Sequence, residues 1–145
     1  MQPVTCYQRQ MEIPLKRARV LLADDHLVVL DRVGALLSTS FDVVGVVSNG
    51  QELISAGLRL DPDVIVADIT MPGLSGIEAA HQLREAGSGA KFVFLTIHIE
   101  HEFIDACMAQ GALGYVVKSH VKTDLIPAIK AALSGHTFIS PLISR

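Results

Sequence analysis

From Arg19 onward, short runs of apolar and mostly β-branched residues alternate with amphipathic stretches of about a dozen residues, and this alternation constrains the fold more than any other feature of the chain. The strand candidates are Val20 to Ala23, Val43 to Val47, Val64 to Ala67, Phe92 to Leu95 and Tyr115 to Val117. Each is a nearly continuous apolar run, as strands covered on both faces require. Between them, Val29, Val33, Leu36 and Leu37 recur at helical spacing, and so do Leu125, Ile129 and Leu133, marking stripes that pack on a sheet. The pattern is that of successive βαβ units: an α/β, doubly wound parallel sheet. With 145 residues, 50% of them hydrophobic, the chain can close one sizeable core but not two ordinary domains.

Local signals punctuate this order. Ser75 with Glu78 three residues on forms a capping box, and Gly87 ends that helix. Thr123 followed by Asp124 is expected to open the last helix, with Pro127 early enough to cause only a mild bend. The first sixteen residues are polar, contain Pro3 and Pro14 and lack the apolar core of a signal peptide, so they read as a loose leader.

A net charge of -3, from 12 Lys plus Arg against 15 Asp plus Glu, carries no electrostatic footprint of a nucleic-acid binder, so contact with DNA would require a separate domain. The two cysteines, Cys6 and Cys107, follow neither a CxxC pattern nor a secreted framework, which fits a reducing cytoplasm. Cys107 lies among Phe103, Ile104 and Met108 on a helical pattern and reads as a buried, inert thiol. No apolar run approaches the ~18 residues of a membrane-spanning helix.

In an open parallel sheet, ligands bind beyond the carboxyl ends of the strands. Asp24 and Asp25 follow the first strand, Asp68 ends the third, Thr96 the fourth and Lys118 the fifth, so all five meet at one edge. Taken singly, the acidic pair reads as a turn or cap, the Asp68 to Gly73 stretch as a Pro-Gly turn, and Lys118 as a solvated lysine. The set is what points to chemistry. Three close carboxylates repel one another unless a cation neutralises them. Oxygen ligands without a nearby Cys or His set favour Mg²⁺, with Asp25 and Asp68 as direct ligands. With Mg²⁺ and the Lys118 ammonium screening an incoming phosphoryl group, Asp68 can attack phosphorus in line and become an aspartyl phosphate. His98 and His101 stand at i and i+3 with no further ligand pair, which favours a solvated loop over a zinc site.

Three stretches carry a resemblance: Leu21-Leu22-Ala23-Asp24-Asp25-His26, the run from Asp68 through Met71-Pro72-Gly73 to Glu78, and Leu95-Thr96 with Gly111 through Lys118. Together they resemble the receiver domains of two-component response regulators, over roughly residues 18 to 140. The resemblance implies a flavodoxin-like, five-stranded sheet of order 2-1-3-4-5 and Asp68 as phosphoacceptor. Asp24, Asp25, Asp68 and the Thr70 carbonyl would form the Mg²⁺ site. Thr96 would be the hydroxyl switch, Lys118 the phosphate-pairing lysine, and Tyr115 the aromatic switch whose ring turns inward when Thr96 engages phosphate. The readout face would be the fourth helix, fifth strand and fifth helix.

Asp24-Asp25-His26 and the closing Gly135-His136-Thr137-Phe138-Ile139-Ser140-Pro141 look like the LuxR/NarL-type subfamily. There a sensor histidine kinase supplies the phosphoryl group and a helix-turn-helix output domain regulates transcription. On this reading residues 1–16 are a leader, 17–135 the receiver and 136–145 the start of a linker. A homodimer is expected through the first and fifth helices, where Leu27 and Val28 would be exposed, or through the readout face. The chain departs from the commoner pattern in having Ser119, not proline, after Lys118, which leaves the usual cis-proline loop open, and in having Leu27, not proline, after His26. The expected function is a phosphoacceptor switch that assists its own phosphorylation and dephosphorylation, not a classical enzyme. A phosphorylation-independent binding module is the alternative. A phosphatase with an Asp nucleophile is disfavoured by the lack of an Asp-x-Asp loop and of a substrate cap.

Overall fold

The computed structural model describes residues 16–141; Cys6 and the leader lie outside the described residues, apart from Lys16. Six strands are hydrogen-bonded in the order β2-β1-β3-β4-β5-β6, and every pair is parallel. They are β1 (Arg19–Ala23), β2 (Asp42–Val47), β3 (Val64–Asp68), β4 (Lys91–Thr96), β5 (Gly114–Val117) and β6 (Phe138–Ile139). The helices are α1 (Leu27–Ser38), α2 (Gly50–Leu60), α3 (Gly76–Glu85), α4 (His101–Ala109) and α5 (Val121–Leu133), with a 3-10 turn at Lys118–His120. The doubly wound order 2-1-3-4-5 is present, and a sixth strand extends it.

Alternate residues of each buried strand feed two separate cores, because successive side chains leave a strand on opposite faces. Val20, Leu22, Val64, Val66, Val93 and Leu95 meet Leu30, Val33 and Leu37 of α1 and Leu125, Ala128 and Ile129 of α5. Leu21, Ala23, Ile65, Ala67, Phe92 and Phe94 meet α2, α3 and α4 on the other face, where Leu53, Leu83 and Ile104 are buried. The fully double-covered strands β3 and β5 are buried throughout, which explains their unbroken apolar sequence. Among the described residues no helix is long and apolar enough to cross a membrane.

The helix starts use different devices. Asn49 caps α2 by accepting the Glu52 N–H at 2.9 Å, and Ser75, the cap expected from sequence, holds α3 by accepting the Glu78 N–H at 3.1 Å. Past α3, Gly87 adopts φ 92° and Ser88 N–H reaches the Leu83 carbonyl at 3.0 Å, a glycine-terminated helix end.

Four sequence expectations need correction. The last helix begins at Val121, not Thr123, because the 3-10 turn after β5 runs straight into it; the single Thr123 hydroxyl proton instead faces Asp124 Oδ1 at 3.1 Å, with the His120 carbonyl at 3.3 Å as a second acceptor. Pro127 therefore sits in the helix interior rather than its first turn. Leu133 is 39% exposed, and Ala132 takes its expected place in the core. Finally, the segment expected to be linker from residue 136 contributes β6, whose Phe138 and Ile139 pair with Gly114 and Tyr115.

Candidate functional site

Each of the predicted strand-end residues arrives at the carboxyl edge of the sheet. Asp24 follows β1 directly, its N–H donating to the Val47 carbonyl at 3.1 Å as though the β1–β2 ladder continued, and its side chain is fully buried. Asp68 is the last residue of β3 and Thr96 the last of β4, both buried, and Lys118 opens the turn after β5. The Lys118 ammonium bridges two carboxylates, 2.8 Å from Asp24 Oδ2 and 3.2 Å from Asp68 Oδ2.

The loop after β3 is shaped around Asp68. Gly76 opens α3 so close to the strand that a Cβ there would collide with the Asp68 carbonyl oxygen, and its N–H donates to the Ile69 carbonyl at 2.8 Å. Gly73 turns the chain with φ 75°. The Thr70 N–H reaches back to Asp68 Oδ1 at 3.3 Å, fixing one carboxylate oxygen while Lys118 fixes the other.

Asp24, Asp25, His26 and Asp68 each offer a ligand atom within 4.8 Å of all the others. The fit to a divalent cation can be tested on Asp24. Its Oδ2 is buried, with the Lys118 nitrogen at 2.8 Å as its charge partner and no second polar partner among the described residues. A buried carboxylate oxygen in that condition suits a cation. The donor set is not the purely oxygen one expected from sequence, because His26 joins the cluster. Its Nδ1 is 3.0 Å from Asp24 Oδ1 and 3.2 Å from Asp25 Oδ1, and its N–H donates to Asp24 Oδ1 at 2.9 Å. Those contacts engage the ring nitrogen with the carboxylates, an orienting role for the acids rather than a free ligand.

Electrostatically the site is strained in one direction. Burial pushes the Asp68 carboxyl above its ordinary pKa, Lys118 pulls it down, and the neighbouring Asp24 charge adds to the rise. Burial alone would lower the Lys118 pKa, but the Asp24 and Asp68 carboxylates outweigh burial and hold its ammonium above the ordinary lysine range. The pair does not shift symmetrically because one ammonium serves two acids: Lys118 gains from both, while Asp68 shares its counter-charge and faces a like charge.

Thr96 and Tyr115 are joined through a residue the sequence did not single out for the site. The His98 N–H donates to Thr96 Oγ1 at 3.0 Å, and the Tyr115 hydroxyl donates to the His98 carbonyl at 3.1 Å. The Tyr115 ring is fully buried, and burial raises the pKa of its hydroxyl. The His98 ring stacks on Phe103 with centroids 4.0 Å apart, and its Nε2 lies 3.4 Å from Thr70 Oγ1, so the loops after β3 and β4 touch across the site. His98 is therefore part of the site's frame rather than a solvated loop residue, with its Nδ1 3.5 Å from Glu100 Oε1. Its signal in the sequence was only its spacing two residues beyond Thr96. Lys118 and Ser119 are joined without a cis bond, since the described residues contain none. Cys107 is buried as expected, its thiol pushed up to about 12 by desolvation.

Residues 20–130 match the family described as response regulator receiver domain. A two-component response regulator of the LuxR family from Aurantimonas sp. SI85-9A1 has the same fold, with TM-score 0.84 and 33% identity, covering 88% of this chain and 93% of that one. The isolated receiver of RcsB from Salmonella enterica serovar Typhimurium, solved in the presence of the phosphomimetic BeF3-, gives TM-score 0.82 at 27% identity over 90% of this chain and 98% of its own. The nitrate/nitrite response regulator protein NarL of Escherichia coli strain K12 is 34% identical over 129 residues, which are 88% of this chain but 60% of that protein. The chain thus spans about three fifths of the length of this relative. With its sheet order, its acidic edge and its lysine bridge, the chain belongs to the response regulator receiver domain family, in the LuxR/NarL-type branch.

Proposed function

We propose that this protein is a phosphorylation switch in which Asp68 accepts a phosphoryl group from a partner histidine kinase. One observation carries the reading: the Lys118 ammonium bridges the buried carboxylates of Asp24 and Asp68, at the carboxyl edge where Asp25 also stands. Asp24, Asp25, Asp68 and the Thr70 carbonyl would hold Mg²⁺. When bound, the ion supplies positive charge that screens the phosphoryl oxygens. Asp68 forms the new P–O bond as the bond from phosphorus to the donor breaks, and the leaving group departs with its electron pair. Lys118, already held by both acids, stays within reach of the phosphoryl oxygens, and the Thr96 hydroxyl trades its bond from the His98 N–H for one to phosphate. That exchange loosens the His98 backbone, to which the Tyr115 hydroxyl is tied, and carries the change to the face of α4, β5 and α5.

The phosphomimetic present with the RcsB receiver supports the same chemistry here. The transcriptional regulatory proteins MctR of Rhizobium johnstonii and LiaR of Bacillus subtilis, 35% and 37% identical to this chain, support control of transcription, here through a DNA-binding domain separate from this one. A cytoplasmic location and a homodimer through α1 and α5, or through α4, β5 and α5, belong to the same reading. Leu27 and Val28, 74% and 63% exposed at the start of α1, support the first interface.

Incubation with Mg²⁺ and acetyl phosphate, followed by intact-mass spectrometry of wild type and Asp68→Asn, tests the switch. A Mg²⁺-dependent single-phosphate adduct on wild type alone is expected. Folded wild type without an adduct would favour a phosphorylation-independent binding module.

A further inference from the structure

The chain's last described strand is wired to the site by a buried polar pair. Ser140 follows β6 and is fully buried; Asp124, in the first turn of α5, is 7% exposed. The Ser140 hydroxyl donates to Asp124 Oδ2 at 2.7 Å and accepts the Val117 N–H at 3.1 Å. Its own N–H donates to the Tyr115 carbonyl at 2.9 Å, and the Thr123 hydroxyl donates to the other Asp124 oxygen at 3.1 Å. Among the described residues Asp124 has no basic partner, so two hydroxyl donors and the amino end of α5 are what satisfy this buried carboxylate.

The consequence lies one residue on. β6 is only two residues long, so the ladder on that side of β5 stops before Val117, and the Ser140 hydroxyl supplies the acceptor that a longer strand would have given. Val117 immediately precedes Lys118, whose ammonium bridges Asp24 and Asp68. The backbone from which Lys118 reaches into the site is therefore pinned from the β6 side by Ser140, and Ser140 by Asp124. Mere packing of Phe138 and Ile139 would need no buried carboxylate at this point.

We propose that Ser140 and Asp124 are positioning residues for Lys118, making β6 part of the phosphoacceptor machinery and coupling its docking to phosphorylation of Asp68. The inference rests on the receiver reading above. Coupling of this kind runs both ways: a docked β6 holds Lys118 in place, and a phosphoryl group engaged by Lys118 holds β6 down. The segment leaving the receiver would then register the phosphorylated state directly, in addition to the face of α4, β5 and α5.

The test compares wild type, Ser140→Ala, Asp124→Asn and Leu37→Ala, the last a destabilised control in the core under α1. Each is phosphorylated with Mg²⁺ and acetyl phosphate well below its melting temperature, with the rate followed by intact mass and the Mg²⁺ affinity measured separately. Ser140→Ala is expected to lower the maximal phosphorylation rate by about tenfold, since small misplacements of a reacting group cost that much or more. Its Mg²⁺ affinity should stay within about twofold, because it touches no metal-site acid, and Leu37→Ala should keep the wild-type rate despite its lower stability. If Ser140→Ala does not fold, Asp124→Asn decides, with an expected loss of about threefold or more. In wild type, the Val117 amide should exchange more slowly once Asp68 is phosphorylated. Folded Ser140→Ala, or Asp124→Asn in its place, reacting at the wild-type rate beside a phosphorylated wild type overturns this inference alone. A wild type that takes no phosphate overturns the receiver reading and the inference together.

Discussion

Asp68 carries a negative charge in a place that resists it, and the sign of that resistance can be followed into stability. Its folded pKa is raised, first by burial and further by Asp24, so the folded state holds the proton more tightly than the unfolded chain does. Its contribution to stability is then fully present below the ordinary carboxylate pKa and is lost as pH rises through the raised folded value. Without divalent ions, Asp68→Asn should therefore be more stable than wild type at neutral pH, with the gap closing as the solution is acidified. Urea unfolding across pH in the presence of a chelator checks this, and a gap that widened towards acid would contradict it. Lys118→Ala should act oppositely, stranding two carboxylates without a cation. Breaking a fully buried ion pair costs about 3–5 kcal/mol, and the opening to water at this edge reduces that to roughly 1–3 kcal/mol here. The same variant should phosphorylate more than about tenfold slower with acetyl phosphate, since a charge aimed at the transferring group is lost.

At the level of elements, the site depends on how closely α3 approaches the end of β3. Gly76→Ala would drive a methyl group against the Asp68 carbonyl, a backbone atom that cannot swing aside. A loss of about 1–3 kcal/mol or more is expected in equilibrium unfolding, together with slower phosphorylation, because the relief of the clash displaces the phosphoacceptor strand. The strands β1, β3, β4 and β5 and the edge they share were legible in the sequence, because double burial writes an unbroken apolar run that polar strand-end residues interrupt, whereas β2 shows the same run of valines at the sheet edge, where it is only partly buried. What escaped was set by contacts between distant segments. β6 is too short to have a periodicity, and its place depends on Ser140 meeting Asp124. Thr123 looked like a helix cap because local chemistry favours it, yet the turn at Lys118–His120 starts the helix earlier. His26 was visible as a neighbour of the acidic pair, but only folding shows its ring turned onto both carboxylates.

For the whole molecule, the single sheet makes the acidic edge a lever on global stability. The two cores share every central strand, so β1 and β3 cannot separate without opening both faces, and an ion held between Asp24, Asp25 and Asp68 would tie those strands at their carboxyl ends. A ligand that binds only the folded state stabilises it by mass action, by about 2.7 kcal/mol at roughly a hundred times its dissociation constant. For a domain of this size, that corresponds to a rise in melting temperature on the order of 10 °C. Titration of Mg²⁺ into wild type during thermal unfolding should show this rise and its saturation. Asp25→Asn should show a smaller rise at the same concentrations, because it removes a carboxylate from the ion's reach while leaving the Lys118 bridge in place. A wild type whose melting temperature did not respond to Mg²⁺ would mean that Lys118 and His26 already satisfy the acidic edge, and that the cluster is a structural ion-pair network rather than a metal site.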